Sequence, residues 1–266
     1  MKRKMYASES LYPENCREYE SIIESFNEKL DQSLGENRLP PFTPRAVIVP
    51  HAGLLYSGFT ANFTYRLLQE KSEGKKRVIV IGPSQRKRFS GISGSFYKSY
   101  KTPCGKLKID IAYLDMLKNA CGVSFEEKAH KEESTEVQMP FIKYYLEDLK
   151  VVELVYGDVM QGELEKILET CLRDPENIVV ICTNLGDLEE QKELGVVDAT
   201  YLNAITMLEN ERLHSGCNAS GLTAIKALIV TSKKEGLKPQ ILNYQTSSIN
   251  MGDKVKVEGH LSVAMY

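Results

Sequence analysis

Apolar residues recur at helical spacing through Cys16–Leu34, where Tyr19, Ile22, Ile23, Phe26 and Leu30 share one face and the pattern stops near Gly35. Prolines at 40, 41 and 44 then forbid further helix and send the chain out extended. Ala46–Val49 is a short, uninterrupted apolar run and predicts a buried strand; residues 60–69 predict a helix and residues 77–81 a second buried strand. Farther on, residues 151–156 and 178–182 read as strands with a helix over 163–173 between them, and residues 198–209 and Leu222–Lys234 read as helices. Residues 241–245 and the alternating stretch 255–263 predict late antiparallel strands. Continuous Val and Ile runs alternating with amphipathic helices predict an α/β fold, with a mostly parallel central sheet flanked by helices on both faces. No internal repeat or long linker interrupts the pattern, so residues 1–266 are expected to form a single α/β domain.

Charge removes two classes of partner. The net charge is −2, and the basic residues are scattered apart from short runs at 2–4 and 86–88, so no stripe suited to a phosphate backbone exists and no nucleic acid is expected. The longest apolar runs, such as 178–182, are far too short to span a bilayer, and no membrane association is expected. The basic start is not followed by the apolar stretch of a signal peptide, which points to a cytoplasmic protein. Cys16, Cys104, Cys121, Cys171, Cys182 and Cys217 form no C-x-x-C pair and are expected to be reduced, most of them acting as small buried apolar residues.

In open α/β sheets, sites gather at the carboxyl ends of the strands. Three such ends carry unusual sequence: Pro50-His-Ala-Gly53 after the first strand, Gly82-Pro-Ser-Gln-Arg86 after the second, and Thr183-Asn-Leu-Gly-Asp187 after the strand at 178–182. A neutral imidazole is a common ligand for zinc, copper or iron, which singles out His51, although a histidine after a strand also serves simply to close its own turn. His130 lies in a charged segment and is expected to be solvated; His214 reads as a loop residue or a second imidazole near Cys217, and His260 as ordinary strand packing. The run Arg86, Lys87, Arg88 reads as a solvated surface.

Pro50-His-Ala-Gly53 with Tyr56-Ser-Gly58, followed by Gly82-Pro-Ser84, resembles the Memo family, the B-protein of the AmmeMemoRadiSam set. Glu133-Ser-Thr-Glu-Val-Gln-Met-Pro-Phe141 is similar to that family's acidic segment EHSxEVQLPF, and Asn243-Tyr-Gln-Thr-Ser-Ser248 and Gly259-His-Leu-Ser-Val-Ala264 are similar to its closing segments. The likeness runs over about residues 6–266, and the ordered set of motifs is far more specific than any one of them. It implies a fold like the class III extradiol dioxygenases, with a site for iron, copper or zinc at the sheet edge. By that resemblance His51 and Cys217 are metal ligands, with Gln85 and Asp187 at or near two further ligand positions, and Ser84, Asn184, Glu133 and Glu136 border the pocket.

The ligand set is degenerate. Gln85 stands where the family has a histidine, Asn184 where it has an aspartate, Asp187 close to a second lost histidine, and Glu133 in place of the histidine of EHS. An amide oxygen is a weak neutral donor, and extradiol chemistry also needs an acid or base near the metal. Two readings follow: a binding or accessory protein with no dioxygenase activity and no metal, recognising a peptide or protein ligand, or a metal-dependent redox enzyme using a remodelled His51, Asp187 and Cys217 site. The resemblance implies an AMMECR-type protein and a radical SAM enzyme as partners. A weaker third reading makes Cys217 a hydrolase nucleophile with His214 or His51 as base.

Overall fold

A computed structural model describes residues 2–36, 38–131, 133–188, 191–213, 217, 219–251 and 254–266, with backbone alone at 187, 188, 191–194, 248–251 and 254–256. The elements in chain order are β1 (Lys2–Arg3), α1 (Cys16–Leu34), β2 (Ala46–Val49), α2 (Leu54–Glu70), β3 (Arg77–Pro83), β4 (Ile92–Gly94), β5 (Ser99–Thr102) and β6 (Gly105–Lys108). There follow α3 (Ile111–Cys121), α4 (Glu133–Glu136), α5 (Gln138–Tyr145), β7 (Lys150–Tyr156), α6 (Gln161–Leu172) and β8 (Asn177–Cys182). The chain closes with β9 (Asp187–Leu188), α7 (Gln191–Met207), α8 (Leu222–Lys234), β10 (Pro239–Met251) and β11 (Lys254–Met265).

The large sheet has the order β10-β11-β2-β8-β3-β7-β4, and it is mixed rather than mostly parallel. Only β2, β8, β3 and β7 run parallel; β4 and β11 pair antiparallel at its two sides, and β10 and β11 form a long antiparallel hairpin. The parallel centre is where the uninterrupted Val and Ile runs lie, and β2 and β8 are buried at every position, as strands covered on both faces must be. Burying each such side chain contributes roughly 1.5–3 kcal/mol. The connection β2-α2-β3 steps one way across the sheet and β7-α6-β8 steps back. Right-handed crossovers running in opposite directions put α2 and α6 on opposite faces. In keeping with this, α1, α2 and α5 pack together, as do α3, α6 and α8.

The helix predicted at 60–69 starts a turn and a half earlier, at Leu54. Its first turns contain Gly58, where a Cβ would lie 2.7 Å from Phe26 Cε2, so the glycine lets α1 and α2 approach. Helix α3 carries a clear stop signal that the apolar pattern did not expose, with Asp110 capping its start and Gly122 in the left-handed region at its end. A second sheet, β1-β5-β6, ties residues 2 and 3 to the hairpin at 99–108. Two expectations fail here. Cys16 and Cys104 are joined as a disulfide, 88 residues apart in sequence, while Cys121, Cys171, Cys182 and Cys217 are free. Such a pair is set by tertiary proximity, which spacing does not reveal. His130 is fully buried, because its charged neighbours turn outward while its ring enters the core. Among the described residues no helix is long and apolar enough to cross a membrane.

Candidate functional site

Parallel register fixes which loops meet. Val49 is level with Cys182, and Ile81 with Ile181, so the chain leaving β2, β8 and β3 emerges at one sheet edge. His51, Asn184 and Gln85 are the residues that these exits place there. The His51 amide donates to Asn184 Oδ1 at 2.8 Å, and the Gln85 amide nitrogen lies 3.0 Å from His51 Nε2. An amide NH2 only donates, so Nε2 accepts and the ring is the neutral form protonated on Nδ1. Ser220 Oγ, in the loop before α8, is 3.4 Å from the same Nε2, and Asn184 Nδ2 donates onward to Glu258 Oε1 at 3.2 Å.

His260 completes the cluster from β11. It is fully buried, with Nε2 2.7 Å from Ser247 Oγ and 3.9 Å from Glu258 Oε2. Burial first, and then the charge of a protonated His260, push His51 down, and with the Cys182 backbone offsetting part of this it stands at about 4. Burial likewise pushes His260 down to about 4. Both Nδ1 atoms are buried without a hydrogen bond of standard geometry among the described residues. The site therefore holds two neutral imidazoles among amides and hydroxyls at neutral pH.

A brace behind these loops comes from the acidic segment. Gln138 Nε2 donates to the Pro50 carbonyl at 2.9 Å and Gln138 Oε1 accepts from the Tyr65 hydroxyl at 3.0 Å, while Ser134 Oγ donates to the Pro83 carbonyl at 2.8 Å. A Cβ at Gly82 would lie 2.8 Å from Thr135 Cγ2 and 2.9 Å from Ser134 Oγ, so the glycine is what lets α4 sit against β3. Below it, Glu153 is fully buried; it accepts from Thr135 at 2.5 Å and from Tyr100, and lies 2.9 Å from His130 Nδ1. Burial alone would raise its pKa, but His130, Arg3 and Thr135 together hold it down to about 2.

The other expected site residues either have partners of their own or fall partly outside the described residues. Glu136 is buried and accepts from the Tyr6 and Ala7 amides at 2.6 and 2.7 Å, from the Tyr12 hydroxyl at 2.7 Å, and pairs with Arg3. Glu133 is half-buried and paired with Arg86, which stays exposed as a surface run should. Ser84 donates to the Lys87 carbonyl at 2.6 Å beside a cavity of about 510 Å³ also lined by Arg88, Ser90 and Asp158. Cys217 is buried with its thiol beside the Tyr201 hydroxyl, which also receives the Ala219 amide at 2.6 Å. The backbone of Asp187 pairs with that of Glu258, but its side chain lies outside the described residues, as does His214.

Sequence reasoning missed His260, Ser220 and Glu258 as members of the cluster, and Gln138 as its brace. His260 and Glu258 sit in an alternating strand whose rhythm reads as packing, and the one signal available was a glutamine inside the apolar Val-Gln-Met-Pro-Phe run. As a metal centre the described donors fit poorly. No group of three His, Cys, Asp or Glu ligand atoms forms around His51 among the described residues, and the Nε2 lone pair is already engaged by an amide.

Comparison with known proteins agrees with the arrangement of motifs. A family model described as Memo-like protein matches residues 3–264. A MEMO1 family protein of Sulfolobus acidocaldarius is 30% identical over 257 residues, covering 91% of this chain and 90% of its own. MEMO1 family proteins of Methanococcus maripaludis and Thermoplasma acidophilum are each 28% identical and span 99% of this chain, with 99% and 98% of their own lengths covered.

Proposed function

This chain belongs to the Memo family, and from that premise we propose that it is a cytoplasmic binding or accessory protein whose crevice takes a polar segment of a peptide or protein partner, without ring-cleaving activity. The observation that carries this reading is the contact between the Gln85 amide and His51 Nε2 at 3.0 Å. It replaces a ligand by a hydrogen-bond donor and leaves a neutral surface of amides, hydroxyls and imidazoles, suited to carbonyl and amide groups. The AMMECR-type protein and the radical SAM enzyme of the AmmeMemoRadiSam set are partners we propose on family grounds, together with a dioxygenase-like ancestry for the crevice. Metal analysis of protein purified without added metal tests the reading, with native chain, His51→Ala and Cys217→Ala compared. The account expects no metal whose binding depends on His51 and Cys217, even after anaerobic iron(II) or copper(I). Metal present in the native chain and lost in both variants would overturn it.

A second reading, a redox enzyme holding iron, copper or zinc through His51, Asp187 and Cys217, draws support from one feature. Asp187 pairs through its backbone with Glu258, whose side chain reaches Asn184 beside His51. In that case His51 and Cys217 would hold the ion, which would supply Lewis-acid or electron-transfer chemistry.

A further inference from the structure

We propose that Cys16, Glu20 and Cys104 form a separate site for a thiophilic divalent cation, of which zinc is the type, in the dithiol state of the protein. Cys16 opens α1, and Glu20 lies one turn along on the same side of the helix. Cys104 sits in the tight turn between β5 and β6, so the two sulfurs and the carboxylate come from elements that have no reason to converge unless they are held together. One ligand atom from each lies within 4.8 Å of the others, and all three residues are half-buried.

The surroundings fix both halves of the site. Asn15 caps α1 by accepting the Glu18 amide at 3.2 Å, and Glu14 pairs with Lys101 of β5 at 3.2 Å, clamping the helix start to the hairpin. Glu20 has no hydrogen bond or ion pair of its own among the described residues, which leaves its carboxylate available. Two thiolates and a carboxylate form a donor set that zinc accepts, with a fourth position left for water.

The structure records the pair as a disulfide. Exchange with an external thiol, small or protein-borne, converts it: two electrons from two thiols reduce the sulfur–sulfur bond, giving two protein thiols and one external disulfide. Zinc then binds the two sulfurs and displaces two thiol protons to solvent. Oxidised, the site is a covalent staple between α1 and the β5–β6 turn; reduced, the same residues bind metal. It shares no residue with the His51 cluster, and its occupancy does not depend on the reading given above.

The test is zinc titration of chelator-treated protein, reduced and oxidised, using zinc alone as the probe and following it with a metal-sensitive dye. Reduced native protein and reduced His51→Ala should each take up about one zinc per chain, and oxidised protein none. Cys104→Ser should abolish uptake, and Glu20→Gln should weaken it at least about tenfold. Cobalt in place of zinc should give a thiolate charge-transfer band in the reduced protein. If Cys104→Ser does not fold, Glu20→Gln decides, because it preserves the cysteine pair. Zinc uptake that is absent from the reduced protein, equal in both redox states, or unchanged in Glu20→Gln would overturn the proposal.

Discussion

At the scale of single residues, the site depends on what glycine and glutamine allow. Gly82 permits Thr135 and Ser134 to close on the strand that delivers Gln85. Gly82→Ala should therefore cost about 1–3 kcal/mol, because the extra methyl must displace groups that are packed and hydrogen-bonded. A urea denaturation midpoint unchanged from the native protein would show that α4 is not held against β3 as described. Gly259 has a parallel role on the other side, where a Cβ would strike the Asp198 carboxylate. Burial raises Asp198 to about 6, which the Tyr244 hydrogen bond at 2.6 Å only partly offsets.

Among elements, the N-terminal segment is fastened by charge rather than by apolar burial. Glu136 in α4 satisfies two backbone amides, the Tyr12 hydroxyl and Arg3, whose guanidinium also lies over the Tyr6 and Tyr100 rings. Glu136→Ala removes the acceptor and leaves a buried cation without its carboxylate, a loss on the order of 3–5 kcal/mol. Amide hydrogen exchange at Tyr6 and Ala7 should accelerate strongly in this variant, and protection equal to the native level would contradict the fastening. This element was illegible in the sequence because the contact spans 129 residues between Ala7 and Glu136 and involves no periodic pattern. The Val and Ile runs of β2, β3, β7 and β8 were legible because burial on both faces leaves few polar positions, Glu153 in β7 being an exception. The antiparallel direction of β10 and β11 was legible too, whereas β4, only 3 residues long and set by its neighbour β7, was not. The strand-end loops carrying His51, Gln85 and Asn184 were readable from topology, whereas His260 entered the cluster through a hairpin register that local sequence does not specify.

For the whole molecule, the buried titrating groups set the acid side of stability. His51 and His260 are near 4 when folded and about 6.5 when unfolded. The unfolded chain then binds more protons between those values, so their contribution is complete above about pH 6.5 and falls away as pH drops towards 4. Each contributes on the order of 3 kcal/mol at most. Asp198 works in the opposite sense: held near 6, it binds its proton more tightly when folded, and it offsets part of that loss between about pH 6 and 4. Glu153, held near 2, contributes above its unfolded value and loses that contribution as pH falls through 2. The denaturation midpoint should therefore drop between pH 7 and 4.5, with a shallower slope in His260→Gln. An identical slope in that variant would show that His260 is not a buried neutral imidazole.

The central claim is that Gln85, by capping His51 Nε2, is what keeps this crevice from holding a metal. Anaerobic calorimetric titration of iron(II) into native protein and into Gln85→Ala and Gln85→His measures this directly. With the Cys16–Cys104 disulfide intact, the account predicts no saturable binding by the native chain and binding at least about tenfold tighter in Gln85→His than in Gln85→Ala. Saturable binding by the native chain that disappears in His51→Ala would contradict it.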